Sequence, residues 1–251
     1  MPNNAGNQRF GLAFLLFLGS TLTLAAEPQS LPFNGEARAI DTSEVLYTEH
    51  HKQTGHCSDG NWLPESDQVT YRNPEGKTIA EKTVDYGSVP ERPGFVLEDR
   101  RFGQRVEVRN RNDKLAVVHW RAPDGEEQRF ETEIPENGVI DAGFEVMVRQ
   151  HWQRLVAEGK ATDIRFFAPT RGAFYGFEAE PTSHEAIDAG YVFRISKTGW
   201  IASWFLDPFY LGFNDQQQLT DFRGMTNILE DFNDNHIAHI HYFYPKSHPC
   251  R

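Results

Sequence analysis

Alternation of apolar and polar residues with a period of two, repeated between tight turns, restricts this chain more than any other feature. Arg105-Val106-Glu107-Val108-Arg109 and Arg129-Phe130-Glu131-Thr132-Glu133-Ile134 alternate without a break, and Val69 and Tyr71 keep one parity on an earlier segment. Successive side chains of an extended strand point to opposite faces, so such runs place one face in a core and the other in water. Turn residues separate them: Asn73-Pro74-Glu75-Gly76, Asn112-Asp113 and Pro123-Asp124-Gly125. Pro fixes φ, while Asn, Asp and Gly accept left-handed backbone, which is what reversing the chain requires. Short strands joined by tight turns predict antiparallel pairing. In residues 78–86 the parity changes, with Ile79 on one side and Val84 and Tyr86 on the other, which predicts a β-bulge.

One segment follows a different period. Ile140, Phe144, Met147, Val148, Trp152 and Leu155 recur at steps of three and four, one face of a helix. Asp141 stands where a first-turn carboxylate complements the helix dipole, and Gly159 where a left-handed cap ends it. The spacing predicts a helix over about 140–158. Beyond it, Phe166-Phe167, Phe174-Tyr175, Tyr191-Val192-Phe193 and residues 200–213 carry aromatics on both parities. Strands apolar on both faces are covered on both faces. The fold class expected is mainly β, an antiparallel barrel or strongly curved half-barrel with one long amphipathic helix packed on or in it.

The N-terminus reads as a signal peptide over 1–25. A polar stretch with Arg9 precedes an apolar run over 10–24 that ends at Ala25-Ala26. About 15 apolar residues span roughly 22 Å as a helix, short of the roughly 30 Å hydrocarbon core. No Cys follows the run, so a lipid-anchored product is not expected, and the address expected is periplasmic or secreted. Residues 26–43, with Pro28 and Pro32, read as an irregular arm, and 44–251 as a single β domain. Acidic residues outnumber basic ones 36 to 25, and the segment removed holds Arg9 and no acid. So acidic a surface excludes nucleic acid as a natural partner and does not favour anionic membranes. The protein expected is soluble rather than membrane-embedded.

Cys57 and Cys250 are the two cysteines, an even pair that suits a disulfide in an oxidising compartment. There is no G-x-S-x-G elbow, P-loop, G-x-G-x-x-G or H-E-x-x-H, so the chain reads as non-enzymatic and no cofactor is expected. The histidines are the unusual group. His50, His51 and His56 lie near the first strand after the arm, and His236, His239 and His241 in or beside the last. His239 and His241 share a strand face about 7 Å apart, a spacing that suits two ligands of one zinc or copper ion. Barrel closure would bring His50 toward them. The competing reading is a solvated face of polar histidines.

In layout the chain resembles the periplasmic lipoprotein-carrier superfamily (LolA/LolB-like open β-barrels) and related exported families. The residues that carry the likeness are Asp141-Ala142-Gly143-Phe144 opening the helix, the stretch 219–228 (LTDFRGMTNI) and the closing strand over 237–244. The resemblance implies an apolar cavity between sheet and helix, with room for acyl chains or another hydrophobic ligand. Phe144, Val148, Trp152, Phe193, Trp204, Phe205 and Phe213 are the residues expected to line it. Three functions follow: a carrier of a lipid-like ligand, an envelope interaction protein with a filled core, and a metal-binding protein or metal-dependent enzyme at the histidines.

Overall fold

A computed structural model describes residues 28–58, 60–198, 207–246 and 249–250, together with Met1. Among them are fifteen strands. β1 (Gln29–Ala39), β2 (Val45–Ser58), β3 (Asn61–Arg72) and β4 (Thr78–Asp85) precede β5 (Gly94–Asp99), β6 (Gln104–Arg111), β7 (Leu115–Arg121) and β8 (Glu127–Glu133). A two-residue β9 (Gly138–Val139), helix α1 (Gly143–Gln150) and a π-helical turn at Gln153–Ala157 lead to β10 (Thr162–Ala168). A 3-10 turn at Pro169–Arg171 precedes β11 (Ala173–Thr182), β12 (Tyr191–Lys197), β13 (Phe209–Phe213), β14 (Leu219–Leu229) and β15 (Asn235–Phe243).

All fifteen belong to one sheet, ordered β8-β7-β6-β5-β4-β3-β2-β1-β15-β14-β13-β12-β11-β10-β9. The described chain therefore starts and ends in the middle of the sheet, where β1 pairs antiparallel with β15. The two free edges, β8 and β9, are consecutive in sequence and joined by residues 134–137. Five Cα steps reach at most roughly 18 Å, so the sheet has to curl until its edges face each other. Among the described residues no backbone ladder joins β8 to β9. A side chain instead ties β8 to the turn between β10 and β11, Thr132 Oγ1 donating to the Gly172 carbonyl at 2.5 Å.

Three expectations change. Residues 29–39, read as part of an irregular arm, form β1, with Leu31, Phe33 and Ala37 buried on one face. Pro32 is tolerated because β15 pairs β1 only from Asn34 onward, leaving Pro32 laddered to β2 alone. The helix is shorter than its periodicity predicts: α-helical bonding covers Gly143–Gln150, and the turn at Gln153–Ala157 widens to the π type. Asp141, expected in the first helical turn, precedes the helix at φ 45°, and its carboxylate pairs with buried Lys82. Other expectations stand. Gly159 takes a left-handed conformation just past the helical segment. The bulge in β4 is present: Tyr71 faces Ala80 and Arg72 faces Thr78, so Ile79 is the extra residue.

α1 lies within the curve and divides the core. Val146 joins the larger cluster, with Tyr47, Tyr71, Phe95 and Val108 of β2–β6 and Ile228, Ala238 and Ile240 of β14 and β15. Phe144, Met147 and Val148 join the aromatic cluster of β10–β14. Gly143 lets the helix start against the 88–92 loop, since a Cβ there would sit 2.1 Å from the Glu91 carbonyl oxygen. Cys57 and Cys250 are disulfide-bonded across 193 residues, beside a small cluster of Leu31, Phe33 and Trp62. Among the described residues no helix is long and apolar enough to cross a membrane.

Candidate metal centre

Strand parity places the histidines. Ala238 and Ile240 turn into the core at 0% and 4% exposure, so His239 and His241 point to the outer face of β15. On β14 the same parity turns Phe222 toward the core and Asp221 outward, and the ladder sets Asp221 directly opposite His241. The three side chains converge. Asp221 Oδ1 is 2.9 Å from His239 Nε2 and 2.8 Å from His241 Nδ1, and the two imidazoles lie tilted at 39° with centroids 4.0 Å apart. One ligand atom from each residue lies within 4.8 Å of the others.

An outer sheet face is ordinarily wet, yet Asp221 and His239 are only 3% and 8% exposed. The cover is the β11–β12 connection, residues 183–190, whose Ile187 is itself buried. Gly212 on β13 makes the close approach possible: a Cβ there would sit 2.9 Å from Ile187, Ala189 and Asp221 alike. His241 remains partly open, its side chain 42% exposed. The centre is thus walled on the β13 side and accessible on the β1 side.

The electrostatics follow from this placement. Burial pushes the Asp221 carboxyl up, but the hydrogen bond with His239 and the nearby imidazoles outweigh it and hold the group below its usual range. Burial, then the neighbouring His239, keeps His241 below the ordinary imidazole value. Polar side chains cross the outer face in a row: Arg194, Tyr210, Arg223, His239 and Arg38 are successive partners on five strands. Arg38 is held by Glu36 at 2.6 Å, and Arg194 is ion-paired with Glu180. His184, on the covering segment, meets the Tyr210 ring at 4.5 Å between centroids.

Two imidazole nitrogens and one carboxylate oxygen are the donor set of many three-ligand zinc and first-row metal sites, which leave positions open for water or substrate. Strand spacing identified His239 and His241. Asp221 was missed, because its parity in Thr220-Asp221-Phe222 has meaning only once β14 is paired with β15. His50 does not join them. β1 separates β2 from β15, and His50 instead bonds Asn34 at 2.9 Å and Thr48 at 3.2 Å. The expected convergence failed because the supposed arm supplies the strand between.

His51 belongs to a different cluster, on the inner face of β2. Its Nδ1 is 2.8 Å from Asp67 Oδ2 and its Nε2 3.1 Å from Glu49 Oε2, with the Phe33 ring stacked at 4.1 Å. Burial pulls its pKa down, but the hydrogen bonds and charges of Asp67 and Glu49 prevail and raise it to about 9. Both ring nitrogens are committed to carboxylates, so His51 is an internal counter-ion rather than a ligand.

The aromatic set expected to enclose a ligand is packed ring against ring. Trp152 meets Tyr191, Phe193 and Phe213 at 4.8, 6.0 and 5.9 Å, and Phe144 meets Phe166 at 4.6 Å. Val148 is fully buried among them. Trp204 and Phe205 lie outside the described residues. Two clefts, of about 580 and 370 Å³, are lined by other residues, polar ones such as Arg92, Glu107, Gln53 and Arg149 among them.

No family model, curated protein or solved structure matches the chain.

Proposed function

We propose that the protein binds a divalent first-row transition-metal ion, zinc in the first instance, through Asp221, His239 and His241. The observation that carries this reading is the convergence of the three donors within 4.8 Å on two adjacent strands, under a segment that buries two of them. A solvated face of polar histidines would not bury His239 and Asp221. Ligands fixed on strands hold their positions before the ion arrives, so little ordering entropy opposes binding.

The reading includes export. The apolar run over 10–24 and the bridge between Cys57 and Cys250 support a protein that works in an oxidising compartment, free of the thiol pool that competes for zinc. Carriage of a hydrophobic ligand, which the carrier resemblance implies, draws on the curved sheet with α1 inside it. It stands second, because the aromatic cluster beneath α1 is filled by its own side chains. Native mass spectrometry of gently extracted protein separates the two: a bound metal ion without lipid is expected.

The direct test is calorimetric titration of tag-free protein with zinc sulfate. One ion per chain is expected, with His239→Ala and Asp221→Ala each weakening binding by more than about tenfold. His50→Ala is expected to bind as the wild type does. Absence of one-to-one binding, or an unchanged affinity in His239→Ala, would overturn the assignment.

A further inference from the structure

The metal reading leaves one neighbouring charge unexplained. Arg223 stands directly opposite His239 in the β14–β15 ladder, on the same outer face, and directly opposite Tyr210 on the other side. Cross-strand partners have Cβ atoms about 5 Å apart, so the guanidinium is within reach of any group bound at the centre. The other two arginines of the row have carboxylates, Glu36 for Arg38 and Glu180 for Arg194. Among the described residues the Arg223 guanidinium has no carboxylate and no hydrogen-bond acceptor, although it is half-buried. A guanidinium carries five donors in a planar fork suited to carboxylate and phosphate, and leaving it unpaired in a half-buried place is unfavourable. Beside it stand Tyr210 and His184, whose rings meet at 4.5 Å; His184 Nδ1 accepts from the Ala186 N–H, which leaves its Nε2 to donate.

We propose that the centre's open position is filled by an oxyanion, and that Arg223, with Tyr210 and His184 beside it, holds that anion against the metal. The proposal rests on the metal reading and names the class of ligand for that site: a phosphate or carboxylate group, small or at the end of a larger molecule. A dication, the Asp221 carboxylate, two neutral imidazoles and one guanidinium leave a net charge of +2, which an anion offsets. The partly exposed side of His241 provides the approach, while the 183–190 segment closes the opposite side.

Inorganic phosphate is the probe. The intact wild-type chain and the Arg223→Met and Arg223→Lys variants are first titrated with zinc, then the zinc-loaded proteins with phosphate and, in parallel, with acetate. Zinc affinity is expected to change less than about threefold in both variants, which also reports that they are folded. Phosphate affinity is expected to fall at least tenfold in Arg223→Met and less in Arg223→Lys, which keeps the charge but not the fork. Zinc-loaded protein that ignores both anions, or binds them equally well in Arg223→Met, overturns this inference and leaves the metal reading standing. If the wild type binds no zinc, both fall. Acetate bound in preference to phosphate assigns the site to carboxylates.

Discussion

His51 is placed so that losing its proton leaves two carboxylates facing one another. The folded ring titrates at about 9 against 6.5 in an unfolded chain, so folding is coupled to proton uptake. The contribution is complete below the lower value and disappears as pH rises through the upper one. It amounts to roughly 3 kcal/mol, an order-of-magnitude figure. Urea unfolding at pH 6, 8 and 10 should show a loss of that order for the wild type, while His51→Gln should start lower and lack the slope. Gly212 makes a second prediction at this scale. Any side chain at 212 collides with Ile187 and Ala189, so Gly212→Val is expected to displace the covering segment and cost about 1–3 kcal/mol. Zinc affinity should fall with it, because Asp221 loses its cover and is itself pressed by the new side chain. A variant with wild-type affinity would show that the cover is irrelevant to the centre.

At the scale of elements, the segment 143–157 combines two roles that its periodicity expressed as one. α1 bridges both core clusters, and the wider turn after it sets Trp152 against Tyr191, Phe193 and Phe213. Aromatic edges at these separations are packing contacts, each adding about 0.5–1.5 kcal/mol beyond the area buried. Phe213 is completely buried among them, so Phe213→Ala is expected to cost about 3–5 kcal/mol in denaturant unfolding. Were those rings the lining of an empty cavity, truncation would be nearly neutral and would enlarge it. The β14–β15 pair is the other decisive element. Its register sets Asp221 opposite His241 and Arg223 opposite His239, so a slip of one residue would turn the centre into the core.

The molecule as a whole is held at the β1–β15 seam, where the two ends of the described chain meet at the centre of the sheet. The Cys57–Cys250 bridge closes a loop of 193 residues beside that seam. Constraining so long a loop in the unfolded chain stabilises the fold by up to roughly 5 kcal/mol. Cys57→Ser with Cys250→Ser is therefore expected to lower stability by an amount approaching that figure, without moving Asp221, His239 or His241. Hydrogen exchange should find the β1 amides paired with β15, from Asn34 to Ala39, among the protected ones rather than frayed.

Much of this was legible in the residues alone, because it depends on neighbours in sequence. Period two gave the strands, Asn, Asp, Gly and Pro the turns, the parity change at Ile79 the bulge, and the pairing of His239 with His241 one face of a strand. Leu31, Phe33 and Ala37 carried the same signal for β1, masked by Pro28 and Pro32. The rest depended on which strands become neighbours, and local preferences do not encode register between segments far apart. Only the tertiary structure could insert β1 between His50 and the last strand and set Asp221 opposite His241. It alone could lay 183–190 over them and fill the space beneath α1 with rings. Strand identity is a local property of the chain. The cluster of Asp221, His239 and His241 is a property of pairing, and pairing is decided where distant segments compete for the same hydrogen bonds and the same core.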